Sequence, residues 1–291
     1  MRRTIGISNR LILSTCALGA LVCCVAAFFL LNFLDWRNQH QVVAEPVILS
    51  VDQGESFSRV ARRLVAAGVI DSETKFRLLA EWLGKVADLK VGEYVFEGPV
   101  TPVDVLERLS SGDVATYDLL IREGITFAEM LTQLHQSDVL RANPGLDAEQ
   151  IKATLGIDFV EGNFLPETYQ VRRGDTVMSV LERAHQGLKL ALDEAWLQRQ
   201  DGLLLASPKD LLTLASIIEK ETGRADDRPL ISQVFHSRLH LNMRLQTDPT
   251  VIYALGDEFD GDLKRRDLKI DSPFNTYRYR GLPPTPISVK G

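Results

Sequence analysis

The sequence predicts an α+β chain: an N-terminal apolar helix, a small β-α-α-β unit, then a larger mixed α+β domain. Three observations carry this. Residues 11–34 hold no charge. Beyond them, short strand-like runs flank stretches of helical periodicity, and that outline occurs twice. Residues 207–223, SPKDLLTLASIIEKETG, carry a helix start, a helix of about four turns and a helix stop.

The apolar run has only Ser14, Thr15 and Asn32 as strongly polar members, with Asp35 and Arg37 ending it. As a helix it measures about 36 Å, against a hydrocarbon core of roughly 30 Å. Phe28, Phe29, Leu30 and Leu31 give no small-x-small cleavage site, so an uncleaved anchor at 11–34 is expected. Arg2, Arg3 and Arg10 precede it, which sets residues 1–10 in the cytoplasm and the rest outside. All three cysteines (Cys16, Cys23, Cys24) fall in this run. The outer part therefore has no disulfide, no cysteine nucleophile and no cysteine metal site.

A net charge of −6 argues against nucleic acid as a partner. No glycine-rich phosphate loop occurs, and the five histidines lack metal spacing beyond His236 and His240, an i,i+4 pair read as solvated. No metal and no cofactor is expected.

Residues 35–46 read as a polar linker. A strand at 47–51, helices from 56 to 67 and from 72 to about 84, and a strand at 90–96 follow, setting a first domain at 47–100. The pattern returns at an offset of 70. VDQGESFSRVARRLVAAGVI (51–70) aligns with IREGITFAEMLTQLHQSDVL (121–140), matching Gly54 to Gly124, Phe57 to Phe127 and Leu64 to Leu134. Gly92 then matches Gly162, and Tyr94 matches Phe164, so two copies of one unit are expected. A short helix with a Thr-Pro start, 101–110, lies between them within a second domain at 101–291. Residues 161–169 read as a loop, 176–200 as a long helix, and 257–271 as a charged, mobile loop.

In the 207–223 helix, Ser207 caps, Pro208 suits the first position and Gly223 suits a left-handed stop. A helical wheel gathers Leu211, Leu212, Leu214, Ala215, Ile217 and Ile218 in one arc, with Thr213, Ser216 and Lys220 on the polar side. Glu219 and Glu221 fall on opposite flanks of that arc, about 160° apart. A carboxylate among apolar neighbours is disfavoured as an anion, which suits a general acid near neutral pH. The spacing forbids the two from serving one substrate as a pair, so one is a candidate acid and the other pairs with a cation. The wheel equally allows both to bond arginines and only hold the fold.

EGNFLPETY (161–169), LASIIEKET (214–222), RLHLNMRLQTDPTVIYALG (238–256) and SPFNTYRYRGLPPTPI (272–287) follow one another in a pattern that resembles the endolytic murein transglycosylases, the YceG-like family. The resemblance runs over nearly the whole chain beyond the anchor. It implies a LysM-like β-α-α-β subdomain, a glycan-binding module type, followed by a catalytic α+β domain. It makes Glu219 the catalytic acid and makes Gln246, Asp248, Asn275 and Tyr277 contacts lining a glycan cleft. It also implies an enzyme of the inner membrane, its catalytic domain periplasmic, acting on nascent peptidoglycan strands, with peptidoglycan synthases as partners. Family members run on well past the GLPPxPI block, including a further strand, whereas this sequence ends at Gly291.

The implied reaction cleaves the β-1,4 bond between N-acetylmuramic acid and N-acetylglucosamine, and the muramyl 6-hydroxyl closes on the anomeric carbon to leave a 1,6-anhydro end. One carboxyl suffices, giving its proton to the leaving oxygen and then taking the hydroxyl proton. The flanking pair of an ordinary glycosidase is unnecessary, in keeping with the wheel. Two alternatives stay open: a non-catalytic glycan-binding or scaffold protein, and a water-using muramidase with Asp248 as second carboxylate.

Overall fold

The computed structural model describes residues 5–290 apart from 142, with side chains from Ala17 onward. Residues 1–4, whose arginines underlie the expected orientation, lie outside it, as do the side chains of Arg10 and Cys16. The chain forms two compact units, Met1–Ala115 and Thr116–Gly291, and is mixed α+β as expected.

The first unit begins with α1 (Ile5–Arg37). Residues Ala17–Arg37 of it are long and apolar enough to cross a membrane. The helix does not stop at the end of the apolar run. Its last turn buries Trp36, whose Nε1 donates to Asp71 Oδ1 at 2.5 Å and whose ring stacks on Phe33 at 5.9 Å. Strand β1 (Gln41–Val51) starts four residues after α1 ends. The segment 35–46, expected as a linker, is thus the end of a helix and half of a strand, because Trp36 and Val43 are core residues.

Helices α2 (Phe57–Ala66) and α3 (Glu73–Trp82) follow, then β2 (Gly92–Val100), antiparallel to β1 from Gln41 opposite Val100 to Val51 opposite Gly92. Helix α2 buries Phe57, Val60, Ala61 and Leu64, which is the spacing of one helical face. Helix α4 (Pro102–Ser111) is started by a Thr101–Asp104 capping box and stopped by left-handed Gly112. Its Val105, Leu106 and Leu109 close the same core, so this helix packs with the first unit.

The second unit opens with the repeat: β3 (Thr116–Leu120), α5 (Phe127–His135), α6 (Ala148–Leu155) and β4 (Thr168–Arg172), with β3 antiparallel to β4. Equivalent residues do equivalent work. Gly54 and Gly124 both take positive φ, at 80° and 76°. Arg63 donates to the carbonyl of Ser50 at 2.7 Å, and Gln133, seventy residues on, donates to that of Leu120 at 2.5 Å.

Helices α7 (Val177–Leu197), α8 (Pro208–Glu221), α9 (Arg228–His240) and α10 (Asp248–Leu255) complete the unit. One core gathers Met130, Leu134, Phe164, Val180 and Leu181, and another gathers Leu214, Ile217, Phe235, Leu245 and Ile287.

Candidate active site

Helix α8 starts as its sequence directs, with the Ser207 hydroxyl accepting from Asp210 N at 3.3 Å. Two local expectations fail. The helix ends in extended backbone at Thr222, and Gly223 does not take positive φ. Thr213 and Ser216, placed on the polar side by the wheel, are buried. For Ser216 the reason is the C-terminal segment. Ile287 N donates to Ser216 Oγ at 3.0 Å, and Ser288 Oγ donates to Ser216 O at 3.3 Å. The hydroxyl that looked solvent-facing instead docks a segment from 71 residues away.

That stretch continues past α8 to the loop after β3. Gly124 N donates to Val289 O at 3.0 Å, and Val289 N donates to Ile125 O at 2.9 Å. Lys290 arrives with it. The Glu219 side chain, only 8% exposed, meets Lys290 Nζ at 3.3 Å and Arg228 Nη2 at 2.9 Å. The same two cations face Glu123, at 3.9 Å and 3.5 Å. Glu219 therefore lies in a four-charge cluster supplied by the β3–α5 loop, α8, α9 and the C-terminal segment. The wheel set both glutamates beside apolar side chains and left open which of them meets a cation. The structure gives Glu219 two, because α9 opens with Arg228 across the end of α8.

Glu221, on the opposite flank, accepts from the Thr247 hydroxyl. Here the blocks expected to line the Glu219 cleft come together around Glu221. Thr247 N donates to Thr276 Oγ1 at 3.1 Å, Thr276 Oγ1 lies 2.8 Å from Thr250 Oγ1, and Gln246 N donates to Thr276 O at 3.2 Å. Gln246 is exposed, its backbone left-handed at φ 50°. Asp248 is also exposed. It occupies the first turn of α10, with Thr247 rather than Asp248 in the cap position. The Tyr277 hydroxyl donates to Asp248 Oδ1 at 2.5 Å. Burial and that carboxylate push the Tyr277 phenol up to about 12.

Asn275 is fully buried. Its Nδ2 donates to Leu268 O and Ile270 O at 3.1 and 2.8 Å, and its Oδ1 accepts from Tyr277 N at 2.9 Å. Every polar atom of its amide is used inside its own loop, so it shapes that loop and sets the direction of Tyr277.

Glu161, first residue of the EGNFLPETY block, escaped the sequence reading. Its carboxylate accepts from Phe127 N at the start of α5 at 2.9 Å and from the Tyr253 hydroxyl of α10 at 3.2 Å. Burial raises its pKa to about 7, against the opposing pull of those donors. It borders a cavity of about 410 Å³ that also takes in Lys220, Pro249, Ile252, Tyr253 and Phe259. The next residue, Gly162, has φ 72°, and a Cβ there would sit 2.4 Å from Pro286 Cβ. The first and last motif blocks thus touch at a position only glycine fits. One signal was available: in the 70-residue alignment Glu161 stands opposite Val91.

The model of the YceG-like family matches residues 49–291. The chain is 30% identical over 268 residues to an endolytic murein transglycosylase of Bacillus subtilis (strain 168), a match covering 84% of this chain and 73% of that protein. It is 26% identical over 276 residues to one of Streptococcus pneumoniae serotype 2, covering 83% of this chain and half of that relative. The solved structure of a YceG-like protein from Listeria monocytogenes aligns at a TM-score of 0.49 with 27% identity, over 85% of this chain and 87% of that one.

Proposed function

The chain belongs to the YceG-like family, and on that premise we propose that it is an endolytic murein transglycosylase, a lyase of peptidoglycan strands. The single observation that carries the site is Glu219: a nearly enclosed carboxylate in a motif block of the family, held where four segments of the chain converge.

In this reading, protonated Glu219 gives its proton to the glycosidic oxygen as the bond to the muramyl anomeric carbon breaks. The muramyl O6 bonds to that carbon, and its proton passes to Glu219, which restores the acid without water. Arg228 and Lys290 hold the carboxylate in place. Glu123, beside both cations, keeps them paired while Glu219 is neutral. Exposed Gln246 and Asp248 and half-buried Tyr277 serve as glycan contacts, and Asn275 orients Tyr277. Helix α1 anchors the chain in the inner membrane, with the folded part periplasmic, and the LysM-like first unit contributes glycan affinity. Cutting nascent strands there ends their elongation, beside the synthases that make them.

A second reading draws on Glu221, bonded to Thr247, and on exposed Asp248, the next residue along and bonded to Tyr277, two carboxylates that suit a water-using muramidase. Digestion of purified glycan strands by the full chain, Glu219→Gln and Glu221→Gln, with product ends read by mass, separates the two. Anhydro-muramyl ends that vanish only in Glu219→Gln support the lyase. Reducing ends that vanish in Glu221→Gln support hydrolysis. Glycan binding without cleavage by the parent would return the protein to a binding role.

A further inference from the structure

We infer that the outer face of α3 is a membrane-seating surface, with Leu78 and Trp82 lying at the boundary between headgroups and acyl chains beside the exit of α1. The inference rests on reading α1 as an anchor.

The geometry that carries it lies within the first unit. Because α1 runs unbroken from the apolar span into the core, the point where the chain leaves the membrane is fixed relative to α3. Trp36 is 2% exposed and bonded to Asp71, just before α3 begins. Helix α3 buries Phe76, Leu79 and Ala80 and turns Leu78 and Trp82 outward, at 52% and 55% exposure. A soluble helix would carry polar residues there.

The outward face is continuous with the span. An apolar groove of about 330 Å³ is lined by Phe29, Leu30 and Phe33 of α1 together with Leu78 and Trp82 of α3. The Trp82 ring meets Phe33 edge-on at 6.1 Å. Acyl chains that cover Phe29 and Leu30 also reach this groove, since those two residues form part of its wall. Cations complete the pattern of an interfacial belt: Arg37 lies over Trp82 at 5.2 Å and Lys75 over Trp36 at 5.4 Å. Tryptophan beside arginine and lysine at a span's end is the arrangement found at headgroup level.

The test uses the full chain in nanodiscs of phosphatidylcholine and phosphatidylglycerol, with and without bromine at positions 6 and 7 of the acyl chain. Tryptophan emission of the parent is compared with that of Trp82→Phe. The expected result is that bromine removes most of the emission Trp82 contributes, and that Leu78→Trp in the Trp82→Phe background restores a quenched signal. Equal bromine quenching of parent and Trp82→Phe, with no new quenched signal from Leu78→Trp, overturns the surface and leaves the anchor standing. Failure of the full chain to co-purify with the discs overturns the anchor, and the surface with it. Neither result bears on whether glycan is cleaved.

Discussion

In each β-α-α-β copy a glycine of positive φ leads into a helix that begins with a buried phenylalanine: Gly54 and Phe57 in one, Gly124 and Phe127 in the other. In each, that ring stacks on another, Phe76 in the first copy and Phe164 in the second. In each, a second glycine stands where a Cβ would collide, Gly92 at 2.5 Å from Val114 Cγ1 and Gly162 at 2.4 Å from Pro286 Cβ. The contents then diverge. The first copy surrounds Tyr94, whose hydroxyl donates within its own unit to Lys90 O and Leu109 O. The second copy encloses Glu161 and lends Glu123 and Gly124 to the surroundings of Glu219. One backbone plan can therefore serve as a closed apolar core or as a holder of charge. What changes is the residue type at a few loop positions and the identity of the segment that packs on them.

If that contrast holds, damage to the two copies should read differently. The largest effect belongs to Glu219→Gln, which should lower the rate of strand cleavage per folded molecule by roughly 10²–10⁴-fold. Strand cleavage followed by mass of the products checks it, and a variant with parental activity would move the chemistry to Glu221.

Glu161 comes next. Its pKa is raised in the folded chain, from 4.5 to about 7, so the folded state holds the proton more tightly than the unfolded one. That contribution is complete below pH 4.5, falls as pH rises, and is gone above about 7. The parent should lose about 3 kcal/mol across this window, and Glu161→Gln, which copies the protonated acid, should flatten the loss. Denaturant unfolding at a series of pH values measures it. The first copy has Val91 at this place and offers no matching slope.

Gly92→Ala and Gly162→Ala should each cost about 1–3 kcal/mol, through backbone strain and overpacking. The readouts should part at activity. Gly162→Ala should also slow cleavage per folded molecule, because Pro286 belongs to the segment that delivers Lys290, whereas Gly92→Ala should leave that rate intact. Thermal unfolding alongside initial rates separates the two.

The smallest effect is expected of Tyr277→Phe. Removing a partly solvated hydroxyl from Asp248 should change stability by about 1 kcal/mol or less. Its signature should be a higher KM for glycan at an unchanged kcat, measured by titrating strand concentration.

The sequence by itself determined what depends on neighbours along the chain. The apolar run, the Thr-Pro start of α4 and the α8 start at Ser207 are local signals, whereas the glycine stop expected at Gly223 was not met. The repeat was legible because both copies place the same residue types at the same offsets. The tertiary structure alone decided what each glutamate faces. Glu219 meets Lys290, Glu161 meets a tyrosine 92 residues away, and Ser216 is covered by a segment 71 residues on. A helical wheel reports which residues share a flank. It carries no information about which distant segment will pack there, and for a carboxylate that neighbour sets the energy of the charge. Asn275 shows the same limit, since its motif marked it as important and only its enclosure revealed that it acts on the loop. The turn of Trp36 into the core likewise followed from packing, and it made an expected linker the last turn of α1 and the start of β1.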